Sequence, residues 1–346
     1  MLVAGIAWNA AGFDVAFRDT AGGDAPPPRR FAAGRVAELT DQLGELGGVS
    51  ADELVCVVES TDGMVDGGLM ARGVRLYRAD PWQLPDRPVL GSVAADTLAR
   101  AGVERLPELT PLTLTDGSLT GRDADHAHHA EACSEVLAAM TADGRCLLRA
   151  RDDPDDPRVA LTFDDGPHPP YTGRILDILE AYAVPATFFC VGLHASGHPE
   201  ELARMRESGH RVGNHTWSHP FLPDLSSAEL EEQLQRTDEA IEAGAGPAPG
   251  RLFRPPYGSG TPQVFAHLRD DPATTVVLWD VDTVDWSMPG APAIAASVSE
   301  QARPGSIVLM HDGGGDRSQT VEALPSIVED LLGRGLRLVT VDELPS

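Results

Sequence analysis

Short apolar runs alternate with helical-period segments along the whole chain. In the first half, residues 2–8, 13–17, 54–59 and 74–78 predict strands, and 35–46, 62–71, 94–101 and 124–140 predict helices. Two strands followed by strand–helix alternation point to a small α/β domain. The second half alternates more regularly. Strands are expected at 159–163, 186–191, 211–214, 251–253, 275–280, 306–311 and 336–341, with helices at 172–182, 200–208, 228–243, 293–301 and 320–334. Repeated βα units with polar residue types at the strand C-termini predict a barrel-like α/β fold. Between the halves, residues 149–157 (RARDDPDDP) are charged, proline-punctuated and aperiodic, so they read as a linker between domains at 1–148 and 157–346.

Composition narrows the function. The 346 residues carry 53 acidic and 27 basic side chains, a formal charge of −26, and neither half is basic. No nucleic-acid partner is expected, because phosphate neutralisation needs a basic surface. Every basic residue is arginine, which removes lysine nucleophiles and Schiff bases. Cys56, Cys133, Cys146 and Cys190 are far apart without a CxxC pair and read as buried thiols. No apolar run reaches the ~18 residues of a membrane span, so no membrane partner is expected. The opening MLVAGIAWNAAGFDVAF lacks a basic n-region and is interrupted by Asn9 and Asp14. It does not read as a signal peptide, and a cytoplasmic location is expected.

Five stretches in the second half carry chemistry. Leu161–Pro167 (LTFDDGP) ends an apolar strand on two carboxylates, Asp164 and Asp165. Neighbouring strand side chains face opposite ways, so only a turn lets one bind a cation while the other stays beside it as a base. His215 and His219, spaced i, i+4 in HTWSH, can present nitrogens to one ion from a helical turn or a tight loop. With Asp165 they make a two-nitrogen, one-oxygen set with positions left open, as in a catalytic rather than a structural site. In RPPYG, Arg254 suits holding a carboxylate ionised, and the prolines stiffen a loop that can aim the Tyr257 N–H at an oxyanion. In DTVDW and LMH, a carboxylate beside His311 would keep the imidazole protonated as a general acid, and Trp286 and Leu309 could wall an apolar pocket.

Taken together and in order, TFDDGP, HTWSH, RPPYG, DTVDW and LMH resemble the five motifs of the polysaccharide deacetylase family, the NodB-homology or carbohydrate esterase family 4 domain, over about residues 157–345. The resemblance implies a distorted (β/α)7-type barrel and metal-assisted hydrolysis of a carbon–nitrogen bond. It implies a metal triad of Asp165, His215 and His219, usually holding zinc. It further implies Asp164 as general base braced by Arg254, the Tyr257 N–H as oxyanion donor, and His311 as general acid tuned by Asp285. Pro256, Trp286, Leu309 and Asp282 are then expected around the substrate pocket. A small N-acylated substrate is expected, most simply an N-acetylated sugar. The alternatives are a non-sugar amide such as a cyclic imide or ureide, a nucleic-acid-binding module with an appended hydrolase, and a binding protein that keeps the pocket without turnover.

The first half is similar to the RNase H-like domain of IS110-type transposases over about residues 2–102. There, Gly-Ile-Asp and Glu-x-Thr-Gly strand ends bring carboxylates to two metal ions. Here Ala7 stands where the first carboxylate belongs, while Glu59 is retained and Asp96 falls near a third position. A two-metal site should fail without a bridging carboxylate. The expectation is a smaller, non-catalytic α/β RNase H-like domain used for packing, gating or homo-oligomer formation. His126, His128 and His129 are expected on a solvated face and His194 and His198 in loops. Gly313–Gly315 is expected as a mobile loop beside His311, and Glu229–Glu232 as an ordinary solvated helix face.

Overall fold

The computed structural model describes all residues except 34, 46–53, 60–64, 81–82, 86, 116–117, 121–122 and 345–346. At 37, 44, 71, 114–115, 118–120 and 123–130 only the backbone is described, so the side chains of His126, His128 and His129 lie outside the described residues.

The N-terminal unit contains β1 (Leu2–Asn9), β2 (Gly12–Asp19), β3 (Arg29–Ala32), α1 (Val36–Glu45), β4 (Leu54–Glu59), α2 (Asp66–Ala71), β5 (Arg75–Ala79), α3 (Ala95–Arg105), β6 (Thr110–Thr115) and β7 (Ser118–Thr120). They form one sheet in the order β3-β2-β1-β4-β5-β6-β7, antiparallel through β3, β2 and β1 and parallel from β1 through β4 to β5. Because β1 and β4 are central, their side chains are almost all buried, and they read as unbroken apolar runs. Helix α3 lies directly on β1. A Cβ on Gly5 would collide with the backbone of Ala95 and Ala99, so this approach requires glycine. The short strands β3, β6 and β7 were not evident from periodicity.

The chain then crosses to the second fold earlier than the expected break. Helix α4 (Asp123–Ala142) carries Cys133 and Met140 into a buried cluster with Phe253 and Phe265, and β8 (Cys146–Leu147) pairs in parallel with a strand of the second sheet. Nor do residues 149–157 hang free. Ala150 N–H donates to Gly305 O (2.8 Å) and the Arg149 guanidinium to Pro304 O (2.7 Å). Their charged composition concealed backbone pairing, which a sequence pattern does not register.

The second fold runs β9 (Arg158–Asp164), α5 (Tyr171–Tyr182), β10 (Thr187–Cys190), α6 (Gly192–Gly197), α7 (Pro199–Glu207), β11 (Arg211–Asn214), α8 (Ser227–Ala245), β12 (Arg251–Phe253), α9 (Pro262–Asp270), β13 (Thr274–Val277), β14 (Val281–Asp282), α10 (Ala291–Gln301), β15 (Ile307–His311), α11 (Ser318–Gly333) and β16 (Arg337–Val339). The strands follow the order β14-β15-β9-β10-β11-β12-β13-β8, with β16 also on β9, and every pair is parallel. Among the described residues the two ends, β14 and β8, do not pair. The α/β architecture is therefore a curled parallel half-barrel rather than a closed ring. Helix α8 begins with a Ser226–Glu229 capping box, so Glu229 is not simply a solvated charge. The four cysteines are buried and free.

The two units share a core. Val191, Leu193 and Trp217 belong to the same buried cluster as Trp8, Val65 and Leu69 of the N-terminal unit.

Candidate metal centre and active site

Parallel pairing puts the chemistry at one level. His311 is the register partner of Asp164, Phe189 pairs with the same residue from the other side, and Cys190, Asn214 and Phe253 continue the row. His311, Asp164, Asp165, His215 and Arg254 therefore sit at or one residue beyond the C-terminal ends of β15, β9, β11 and β12, where a parallel α/β sheet opens to ligands, while His219, Tyr257 and Asp285 lie on the turns that follow. Extension of the ladder holds them there: Asp165 N–H donates to Phe189 O (3.2 Å), His215 N–H to Cys190 O (3.0 Å) and Arg254 N–H to Asn214 O (3.0 Å).

The turn required between the two carboxylates exists. Asp165 has φ 74°, a left-handed conformation that swings its side chain to the same side as that of Asp164. The HTWSH stretch is a tight loop rather than a helical turn, with Thr216 at φ 68° and His219 at φ 57°. Gln233 on α8 holds it: its Oε1 accepts from the N–H groups of Trp217 (2.7 Å) and Ser218 (3.0 Å). Asn214 Oδ1 accepts from Thr216 N–H (2.8 Å).

The three expected ligands converge. Asp165 Oδ1 lies 3.5 Å from His215 Nε2 and 3.3 Å from His219 Nε2. Ligand atoms at about 2.05 Å from a tetrahedral ion stand roughly 3.3 Å apart, so this spacing fits one cation. The donor chemistry fits as well. His215 Nδ1 lies 2.7 Å from Arg254 O, which can only accept, so Nδ1 carries the proton and Nε2 presents a bare lone pair. Asp165 Oδ1 is buried and receives no hydrogen bond. Although burial alone would raise its pKa, nearby positive charge, that of His311 and Arg317 included, holds Asp165 well below the usual carboxylate range.

Asp164 stands beside this point, its Oδ2 3.6 Å from His215 Nε2. Its Oδ1 accepts from Arg254 Nη1 at 2.7 Å. Arg254 is wholly buried. It also donates to Thr162 Oγ1 (2.7 Å) and to the carbonyls of Val277 and Leu278 (3.2 Å each), with its guanidinium 4.1 Å from the Phe189 ring centroid.

Across the site, Asp285 Oδ1 lies 2.7 Å from His311 Nδ1, and its Oδ2 accepts from His311 N–H (2.9 Å) and Thr320 Oγ1 (2.6 Å). Burial by itself would lower the imidazole pKa, but the charge and hydrogen bond of Asp285, with help from Asp165, raise it to about 9. The ring is thus protonated at neutral pH and loses its proton as pH rises through that value. Since Nδ1 is bound to Asp285, Nε2 is the nitrogen left to give a proton away. Asp285→Asn is expected to move the alkaline limb of the kcat/KM profile down by one pH unit or more, toward the ordinary histidine range near 6.5. An unchanged limb would remove His311 from the role of acid.

The remaining expected residues lie on neighbouring turns and strands. Tyr257 is left-handed (φ 59°) in the turn Pro256–Gly258, and its ring stands 4.6 Å from that of His219. Pro256 and Leu309 are buried, and Trp286 is half-buried in the turn Asp285–Ser287. Asp282 meets neither Asp164 nor His311 in any hydrogen bond described. Its Oδ1 accepts from Val284 N–H (2.9 Å), holding a β-branched residue in a left-handed conformation (φ 51°) at the base of the Asp285 turn.

Other participants were not read from the sequence. His194, expected in a loop, is buried on α6 with Nδ1 2.6 Å from Asp165 O, and burial pushes its pKa down to about 4. Asp312 is fully buried and accepts from Thr172 Oγ1 (2.6 Å); burial raises it to about 7. In the Gly313–Gly315 segment Arg317 donates to Gly313 O (2.6 Å) and Gly314 O (3.0 Å). Adjacency to His311 was the signal available for Asp312. Thr172, Thr320 and Gln233 had none, because they arrive from distant helices.

Comparison with known proteins agrees with this geometry. The polysaccharide deacetylase family model matches residues 151–276. A peptidoglycan-N-acetylglucosamine deacetylase of Bacillus cereus is 40% identical over 187 residues, which cover 54% of this chain and 87% of that protein. A chitooligosaccharide deacetylase of Sinorhizobium fredii is 40% identical over 189 residues, covering 52% and 87%. The crystal structure of a peptidoglycan N-acetylglucosamine deacetylase in complex with 4-naphthalen-1-yl-N-oxidanyl-benzamide superposes with a TM-score of 0.57 at 34% identity, covering 61% of this chain and 97% of that one. The curled parallel sheet, the ordered motifs and this extended identity have one source: the chain belongs to the polysaccharide deacetylase family.

Proposed function

We propose that the protein removes the acetyl group from an N-acetylated sugar, using a divalent cation, zinc by the donor set, held by Asp165, His215 and His219. The observation that carries this reading is the convergence of three donor atoms within about one cation's coordination span, beside a carboxylate clamped by a buried guanidinium. The names of the B. cereus and S. fredii relatives support a sugar as the substrate. When bound, the cation supplies Lewis acidity at the acyl oxygen.

The chain's own residues do the rest. Asp164, held at its Oδ1 by Arg254, takes a proton from the water whose oxygen bonds to the acyl carbon. The Tyr257 backbone N–H, on its stiff proline turn, stabilises the negative charge that develops on the acyl oxygen. His311 donates its proton to the sugar nitrogen as the carbon–nitrogen bond breaks, leaving acetate and an amine. Pro256, Leu309 and Trp286 shape an apolar recess for the methyl group.

The N-terminal unit is read as RNase H-like and without catalysis of its own, which its mixed sheet supports. Ala7 offers no ligand, Asp96 accepts from Nε and Nη2 of Arg18 (2.9 and 2.8 Å), and Glu59 is buried in an ion pair with Arg87 (3.3 Å).

The test is release of acetate from chitooligosaccharides and peptidoglycan fragments, set against cyclic imides, before and after chelation. Chelation is expected to bring deacetylation to background and zinc to restore it. Hydrolysis of the imides with no acetate from either sugar would overturn the substrate assignment.

A further inference from the structure

A buried cluster of charges joins the two units on the flank of the site. Arg87, from the N-terminal unit, uses all three guanidinium nitrogens: Nε donates to Glu229 Oε1 (2.7 Å), Nη2 to Asp224 O (2.6 Å), and Nη1 lies 3.3 Å from Glu59 Oε1. These side chains are nearly hidden, at 11% exposure for Arg87, 1% for Glu59 and 15% for Glu229. Glu59 is held from its other oxygen by Val93 N–H (2.9 Å), and Glu229 Oε2 by Ser226 N–H (2.7 Å). Asp224 closes the turn Leu222–Asp224, five residues after His219. In the same segment Leu222 is fully buried and the Phe221 ring stands 6.3 Å from that of Tyr257, which in turn packs on His219. On the other flank, a Cβ on Gly67 of α2 would meet Gly314 O at 2.6 Å, so the N-terminal unit also abuts the loop beside His311.

Resting on the metal-centre reading above, we propose that Arg87 is a positioning residue of the deacetylase site, which clasps the His219–Asp224 segment and thereby makes the N-terminal unit part of the catalytic apparatus. Residue 87 lies outside the segment matched by the family model. His219 is left-handed at the end of a tight loop, and such a conformation persists only where its surroundings over-determine it. The following segment is tied down by Arg87 through the Asp224 carbonyl and, through Glu229, at the start of α8. Outer partners that orient a ligand are worth about 10–100-fold in metal affinity or activity. Lysine is a poor substitute, because one ammonium cannot span three acceptors in a planar fork. Glu59, the retained acidic residue of the N-terminal unit, has thereby become one jaw of the clasp.

The experiment compares Arg87→Ala, Arg87→Lys and a control, Arg18→Ala, which breaks an exposed ion pair within the same unit. Zinc affinity is read by competition with a chromophoric chelator, and kcat and KM on a chitooligosaccharide. Arg87→Ala is expected to weaken zinc binding and lower kcat about tenfold or more with KM within about twofold, Arg87→Lys to fall between, and Arg18→Ala to match the wild type. Equal zinc affinity and kcat in Arg87→Ala and the control would overturn the clasp. Should Arg87→Ala not fold, Arg87→Lys decides, and wild-type values there overturn it. Failure of the wild-type chain to take up zinc overturns the metal reading instead, and with it the basis of this inference.

Discussion

Asp164→Asn is expected to lower turnover by about 10²–10⁴ while zinc stays bound, the usual size of a general-base contribution. The separation of the two effects follows from the geometry. Asp164 is not one of the three converging ligands, and its Oδ1 is held by Arg254 at 2.7 Å, a bond that an amide oxygen can still accept. The amide keeps the shape but has no lone pair basic enough to take a proton from water. Metal content and kcat measured on the same sample decide the matter. Full turnover in the variant would remove Asp164 as base, whereas loss of zinc would make it a ligand.

The largest stability effect is expected at Arg254. Arg254→Met is expected to cost about 3–5 kcal/mol in denaturant unfolding, because it leaves a buried carboxylate without its counter-charge. Asp164 is only 3% exposed, and the guanidinium also satisfies Thr162 Oγ1 and two carbonyls. Methionine can fill the volume between Phe189 and Trp279 but supplies no donor. Adding Asp164→Leu to Arg254→Met should recover part of the loss, since removing both charges of a buried pair is far less costly than removing one. A cost below about 1 kcal/mol for the single variant would mean that the pair is solvated.

Much of the second fold was legible from pattern. Strands buried on both faces in a parallel sheet are continuous apolar runs, and 159–163, 251–253 and 306–311 were visible for that reason. Helix α9 was missed, although it opens on a Thr261 cap with proline at its first position. The strands β7 and β8 carry too few residues for a period to emerge, while β6 was missed although Leu112 and Leu114 alternate with threonines in its sequence. The break read at 149–157 reflects the same limit. Composition marks where charge accumulates, while α4 and β8 show that packing changes partner earlier.

Residue types nominated Asp165, His215, His219, Arg254 and His311, since the chemistry of each depends on what its side chain can ligate, donate or accept, and the family resemblance singled out Asp164 as base and Asp285 as the partner of His311. Their convergence is a property of the parallel register, which aligns strand ends separated by up to 147 positions in the chain, as between Asp164 and His311. Tertiary structure alone assigned Thr320 to Asp285, Gln233 to the histidine loop and Arg87 to the segment after His219. Each of these is a commonplace polar residue on a distant element, and nothing in its own neighbourhood distinguishes it. Burial does, because a hydrogen bond withdrawn from water must find its partner within the fold.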